Sequence, residues 1–254
     1  MENENLYVIA DDLGLHTYIN DGIIFLLKEG KINGASLMPN GEAFEDAVKK
    51  LKQVSSVKIG IHLNLVEQKS LISGRLMPKN HRLFFVKYLF GFIRGKYIQE
   101  ELEAQIDKII QADIKPAFLN SNQHLHLLLG IMARVIGLAK KYNIPYIRIV
   151  NEPVSLRKGK FFRQAQLLFL NFLSQLAKNK IKKAGLECND YFIGFINAGV
   201  LSKKDIKEAK KLSGKCPSKI IELGCHPGYE NNDLRIKYKH WGNYNWQKEL
   251  NFLK

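Results

Sequence analysis

The sequence predicts an α/β chain folded as one distorted (β/α) barrel of the TIM type, with about seven parallel strands. Three observations carry that expectation. Short apolar runs rich in β-formers alternate with longer amphipathic ones, the pattern of a parallel sheet with helices outside it. No glycine-rich phosphate loop follows the first strand. Asp11-Asp12-Leu13-Gly14 stands where a dinucleotide-binding sheet would carry GxGxxG. Polar residues also recur at the C-terminal ends of the strands, where a barrel of this type builds its site.

The elements follow in order. Leu6 to Ala10 reads as a buried strand and Ile19 to Lys28 as a helix with apolar residues at helical spacing. Gly34 to Met38 is a second strand, ended by Pro39-Asn40-Gly41, and Glu42 to Leu51 is a helix. Val57 to Leu65 is a third strand. Val66 to Arg82 has no periodicity and holds Gly74 and Pro78, so it reads as a loop, followed by an aromatic, basic stretch from Leu83 to Tyr97. A charged helix, Gln99 to Ala112, ends before Pro116. A fourth strand from Ala117 toward Gln123 precedes a helix from about Leu128 to Tyr142. Tyr146 to Val150 is a fifth strand, Phe161 to Lys183 a long helix, Tyr191 to Ile196 a strand, Lys203 to Leu212 a helix and Lys219 to Leu223 the last strand. No internal repeat or linker interrupts the series, so residues 1–254 are read as one domain.

Composition narrows the class. With 46% hydrophobic residues the chain can bury a large core without staples. The three cysteines, Cys188, Cys216 and Cys225, are odd in number and lack CxxC spacing, which argues against a disulfide framework and for a reducing compartment. Met1 to Asn5 is acidic and polar, so no signal peptide is read there, and no window approaches the roughly 18 apolar residues of a spanning helix. A cytoplasmic protein, or one peripheral to the inner membrane face, is expected. The net charge of +15 admits an anionic partner, but the lysines look scattered and no nucleic-acid motif accompanies them. No nucleic acid and no transmembrane segment are expected; a homodimer is the default for such barrels.

Four strand ends carry residues that a fold does not need. Asp11 and Asp12 are adjacent carboxylates after an apolar strand; they repel, and a shared cation or proton relieves them. In Gly60-Ile61-His62-Leu63-Asn64-Leu65, His62 and Asn64 share a face, and an imidazole beside a carboxylate is a common start to a metal site. In Asn120-Ser121-Asn122-Gln123-His124-Leu125-His126, a strand would put Asn120, Asn122, His124 and His126 on one face, about 6.6 Å between alternate residues. In Glu222-Leu223-Gly224-Cys225-His226-Pro227-Gly228-Tyr229, His226 sits in a tight turn suited to a general acid. Arg148, flanked by Ile147 and Ile149, would need a buried carboxylate partner, and Asp11 is the natural one.

On these residues the chain resembles the YdjC-like carbohydrate deacetylases, the group with chitooligosaccharide (diacetylchitobiose) deacetylase and the hopanoid-biosynthesis-associated relatives. The likeness runs nearly end to end, through Ala10 to Gly14, Asn20 to Ile23, Ser36 to Gly41, Gly60 to Leu65, Asn120 to His126, Arg148 and Cys225 to Tyr229. It implies a distorted β/α barrel that binds Mg²⁺ or Zn²⁺ and hydrolyses N-acetyl groups on sugars. It implies Asp11 as catalytic base, Asp12 and His62 as metal ligands, and His226 near the leaving amine. The third implied ligand is the first histidine of a D-S-H-x-H-x-H run. In this chain Asn122 stands at that position and Asn120 replaces the aspartate; the later histidines match His124 and His126. An amide oxygen is a poorer zinc donor than imidazole but suits harder cations such as Mg²⁺. Arg148 joins the catalytic candidates, and His124, His126, Asn64 and Tyr229 are candidates for substrate contact or for an alternative ligand.

The expected activity is metal-dependent deacetylation of an N-acetylated sugar, oligosaccharide or glycolipid. Two alternatives stay open at this point: a non-catalytic glycan- or lipid-surface-binding descendant with a weakened metal site, and a metal-dependent hydrolase of another bond such as a phosphoester.

Overall fold

The apolar run from Leu6 to Ala10 lies in the middle of the sheet, as a strand covered on both faces should. The computed structural model describes residues 5–55, 57–154 and 161–254, so Met1 to Glu4 of the N-terminal stretch lie outside it. Strand β1 spans Leu6–Leu13, three residues beyond the apolar run. The order continues with α1 (Thr17–Lys28), β2 (Gly34–Leu37), α2 (Phe44–Leu51), β3 (Lys58–Leu63), α3 (His81–Leu89), α4 (Gly95–Gln111) and β4 (Leu119–Ser121). A 3₁₀ segment, Asn122–Leu127, leads to α5 (Ile131–Lys141), α6 (Phe161–Lys183), β5 (Tyr191–Ile193), α7 (Lys203–Lys215) and β6 (Ile221–Cys225). Two short helices not anticipated from the sequence, α8 (Asn232–Lys237) and α9 (Trp246–Leu253), follow with a 3₁₀ turn between them.

The described residues form one six-stranded parallel sheet, in the order β4-β3-β2-β1-β6-β5. The expectation of about seven strands is corrected here, because Tyr146 to Val150 makes isolated bridges rather than a ladder. On one side Leu119 N–H donates to the Tyr146 carbonyl and Arg148 N–H to the Leu119 carbonyl, both at 2.9 Å. On the other side Ile147 N–H reaches the Glu187 carbonyl at 2.9 Å. Beyond that, side chains take the place of a strand. Asn189 accepts from Ile149 N–H at 2.8 Å and donates to its carbonyl at 2.7 Å, and Ser174 does the same for Val150 at 2.9 and 2.8 Å. The N–H and carbonyl groups of Arg148, Ile149 and Val150 are thereby all paired without a regular ladder. The two edges of the sheet thus meet a common segment, and the sheet curls into a half-barrel.

The fourth strand is corrected as well. It stops at Ser121, and Gln123 and His124 take left-handed backbone (φ 53° and 54°), so Asn120, Asn122, His124 and His126 do not share a strand face. The kink is held by Ser121 Oγ, which accepts from His126 N–H at 3.0 Å. The strand expected over Tyr191 to Ile196 likewise ends at Ile193, where Gly194 turns with φ 129°.

Outer helices brace the C-terminal ends of the strands. Buried Glu101 of α4 accepts from Ser70 Oγ at 2.7 Å and from Leu71 N–H at 3.2 Å, tying down the loop after β3. Gln105 of α4 bonds both the N–H and the carbonyl of Asn64, at 2.9 and 2.7 Å. None of the described helices is long and apolar enough to cross a membrane.

Candidate active site

A break in β1 brings both carboxylates to one place. The β1–β2 register runs Ala10 to Ala35, then Leu13 to Leu37, so three steps on β1 match two on β2. The surplus residue is taken up as a bulge in which Asp12 adopts φ 67°. Side chains that would alternate across the sheet therefore both line the cleft at its C-terminal edge, and both are 2% exposed.

Asp11 is the most heavily bonded of the two. Its Oδ1 accepts from Ser36 Oγ at 2.6 Å, from Asn120 Nδ2 at 3.0 Å and from Arg148 Nη2 at 3.0 Å; its Oδ2 accepts from Arg148 Nη1 at 2.5 Å. Burial alone would raise its pKa, but the charges of Arg148 and His62 and the guanidinium hydrogen bonds hold it well below the usual carboxylate range. Arg148 is fully buried and also donates from Nε to Glu222 Oε1. Glu222 keeps one guanidinium bond and one from Tyr146 O–H at 3.2 Å, and with fewer donors its burial prevails and its pKa rises.

His62 completes a half-site with Asp12. Its Nδ1 lies 2.7 Å from Asn120 Oδ1, an atom that can only accept, so the proton sits on Nδ1. That turns the Nε2 lone pair toward Asp12 Oδ1, 3.3 Å away. Two electron-rich atoms facing each other in a buried place call for a cation between them, a proton or a metal. Burial depresses the His62 pKa, but the Asp11 and Asp12 charges overcome this and raise it.

Asn120 links His62 to Asp11. Its carbonyl oxygen orients His62, and its amide donates to Asp11, which a carboxylate could not do. Asn122 is buried and donates from Nδ2 to Asn64 Oδ1 at 3.2 Å, leaving its amide oxygen as the atom that could meet a cation. Asn64 in turn donates to Asn40 Oδ1 at 3.2 Å and the Val66 carbonyl at 2.8 Å, so it braces Asn122. Among the described residues no three His, Cys, Asp or Glu side chains gather as a metal cluster. Asp12, His62 and Asn122 all line the cleft, and a carboxylate, an imidazole and an amide oxygen are donor types that suit a divalent cation that keeps water among its ligands.

The other histidines separate. His126 is buried with both ring nitrogens engaged, Nε2 donating to the Arg148 carbonyl at 2.8 Å and Nδ1 meeting Ser121 Oγ at 2.7 Å. Burial and the Arg148 charge push its pKa to about 4, against that carbonyl bond. His124 packs between Phe192 and Phe195, with centroids 5.8 and 5.7 Å away, and its Nδ1 has no partner. Burial, then the Arg148 and His126 charges, drive its pKa far down. His226 lines the cleft beside Tyr244, 5.4 Å between centroids, and its backbone N–H donates to Glu249 Oε2 at 2.6 Å. Its turn sits close on α1, where a Cβ on Gly22 would fall 2.6 Å from Gly228 Cα and Tyr229 N–H donates to the Tyr18 carbonyl at 3.0 Å. Tyr229 serves this packing and is not among the residues lining the cleft.

Several contributors went unread in the sequence. Ser36, Glu222, Glu249, Arg163 and Tyr244 all touch the site or its supports. Only Glu222 had a signal, as an acidic residue inside an apolar strand that could be matched to Arg148. Arg163 of α6 crosses to the cleft, donating to the Phe195 carbonyl at 2.7 and 3.1 Å.

Residues 5–254 match the family model of YdjC-like proteins. The chain is 25% identical over 245 residues to a carbohydrate deacetylase of Vibrio parahaemolyticus, covering 95% of this chain and 83% of that one. It is 26% identical over 236 residues to a carbohydrate deacetylase of Halalkalibacterium halodurans, covering 91% and 87%. A carbohydrate deacetylase of Clostridium beijerinckii is 32% identical over 158 residues, and there the chain spans 62% of the relative's length. The fold is similar to the crystal structure of an Enterococcus faecalis protein assigned to cellobiose-phosphate cleavage, with a TM-score of 0.69, 19% identity and coverage of 98% and 89%.

Proposed function

Because the chain belongs to the YdjC-like family, we propose that it is a hydrolase that removes the acetyl group from an N-acetylated sugar. The observation that carries this is the Asp12–His62 pair, two opposed acceptors 3.3 Å apart beside a separate carboxylate, Asp11, locked by Arg148. Asp12, His62 and Asn122 would hold a divalent metal ion, Mg²⁺ or Zn²⁺. Bound there, it supplies Lewis-acid polarisation of the acetamide carbonyl and acidification of a water molecule.

The residues of the chain account for the proton movements. Asp11 is ionised at every working pH, and Oδ2, which accepts one bond, retains a lone pair to take the proton of the attacking water. A carboxylate held this acidic is a weak base, which suffices for a water already made acidic. The Asn120 amide and Ser36 hydroxyl fix the carboxylate plane, so little reorganisation accompanies the transfer. The acid that protonates the departing amine is His226. His126 has no free nitrogen and His124 is neutral in its aromatic cage, whereas His226 lines the cleft with Glu249 behind it. Phe192, Phe195 and Tyr244 give the cleft apolar walls against which a sugar ring can pack.

The test is acetate release from an N-acetylated chitooligosaccharide. It should stop with EDTA, return on adding Mg²⁺ or Zn²⁺, and be lost in His62→Ala. Acetate release indifferent to EDTA and to that substitution would rule the mechanism out, and sugar binding without acetate would leave a binding protein.

A further inference from the structure

Helix α6 is apolar on two opposite faces. Leu167, Leu173, Ala177 and Ile181 are buried, while Phe161, Phe162, Leu168, Phe169, Phe172 and Leu176 recur at helical spacing on the exposed side. A surface helix of a globular protein carries polar residues there. Helix α3 and the turn after it add Phe85, Val86, Leu89, Phe90 and Phe92, the last two 70% and 78% exposed. Phe85 and Phe169 meet edge to face at 6.4 Å, so the two helices share one surface. Between them opens an apolar cleft of about 320 Å³, whose inner wall of Gln123, His124, Arg163 and Phe195 is also the wall of the candidate active site.

Charge identifies the occupant. Residues 68–99 and 153–186, which contain these helices, carry seven and eight lysines and arginines and not one aspartate or glutamate. Together they hold a positive charge equal to the whole net charge of the chain, +15. Lys178 and Lys96 pair with Asp190 and Glu100 outside the stretches. Arg82, Lys87 and Arg94 are exposed in the same segment as the phenylalanines of α3, with no ion pair to a carboxylate among the described residues. Exposed phenylalanines with such cations match a surface that offers hydrocarbon beneath anionic headgroups.

We propose that the outer face of α3 and α6 docks on an anionic lipid surface, with the mouth of the active-site cleft turned toward the headgroups. The docking is independent of the chemistry of the site and goes beyond the deacetylase reading.

The experiment is co-sedimentation of the full chain with vesicles, either of equimolar phosphatidylglycerol and phosphatidylcholine or of phosphatidylcholine alone, with sedimentation velocity on the free protein. The protein should pellet with the anionic vesicles and stay in solution with the neutral ones. Phe90→Ser/Phe92→Ser should weaken binding by about tenfold or more, because the side chains removed are mostly exposed in the free protein and available to a lipid surface. Lys87→Glu/Arg94→Glu, which keeps the apolar residues, should weaken it comparably and leave the remainder less sensitive to salt. No binding to anionic vesicles, equal binding to neutral ones, or binding indifferent to both double variants overturns the proposal. A wild-type dimer that the phenylalanine variant converts to monomers assigns the face to a second copy and overturns it too.

Discussion

Arg148 joins two carboxylates from different strands, Asp11 of β1 through both Nη atoms and Glu222 of β6 through Nε, in a place closed to bulk solvent. A buried guanidinium so placed specifies geometry more than it adds stability, and its removal is costly because two partners stay behind. Arg148→Met, close in volume, should lower unfolding free energy by about 3–5 kcal/mol, read by urea denaturation. Adding Glu222→Leu should recover part of that loss. A loss under about 1 kcal/mol in the single variant would show that the carboxylates are not held by Arg148.

Asn120→Asp, nearly identical in shape, should not be neutral. Asn120 donates to Asp11 Oδ1 at 3.0 Å, and a carboxylate there replaces attraction with repulsion beside Asp11 and Asp12. A loss of about 1–3 kcal/mol is expected in the metal-free protein, read by denaturation in EDTA. Stability equal to wild type would mean the amide bond contributes nothing.

Much of this was legible beforehand. The apolar run before Asp11-Asp12, the alternation around His62 and the need of Arg148 for Asp11 follow from local pattern and charge pairing, and the structure brings those four residues together. What could not be read depends on backbone conformation or on distant chain. The bulge at Asp12 and the left-handed pair Gln123-His124 have no glycine to mark them. The missing seventh ladder strand comes from side chains of Ser174 and Asn189, far along the chain, occupying its hydrogen bonds. Glu249 stands behind His226 from a C-terminal helix with no motif. Fifteen of the 39 lysines and arginines lie in two stretches without a carboxylate, the same stretches that carry the exposed phenylalanines of α3 and α6.

Gly22→Ala sets helix propensity against packing. Alanine inside α1 would be worth about 1 kcal/mol over glycine, but its Cβ would lie 2.6 Å from Gly228 Cα, backbone against backbone. Packing should win: the expected outcome is net destabilisation of about 1–3 kcal/mol and a fall in kcat, because the turn that moves carries His226. A thermal midpoint at or above wild type with unchanged kcat would show that the turn can yield.

Glu152 should make stability fall as pH rises toward neutrality. Burial raises its pKa to about 7, against hydrogen bonds from the Gly194 and Phe195 N–H groups at 3.1 and 2.7 Å. The folded protein therefore keeps a proton that the unfolded chain loses near its ordinary value of 4.5, so the stability this group adds below 4.5 is lost progressively up to about 7. Unfolding free energy at pH 5 and pH 7.5 should differ more in wild type than in Glu152→Gln, by about 2 kcal/mol. Equal differences in the two proteins would place an ordinary carboxyl there.

The central claim is that Asp11 removes the proton of the water that cleaves an N-acetyl group. The measurement that bears on it most directly is the rate of acetate release from an N-acetylated chitooligosaccharide by wild type and Asp11→Asn at saturating Mg²⁺ or Zn²⁺, with circular dichroism to confirm the fold. Loss of general-base catalysis should lower kcat by about 10²–10⁴-fold with KM little changed. Turnover by Asp11→Asn within a few-fold of wild type would contradict it.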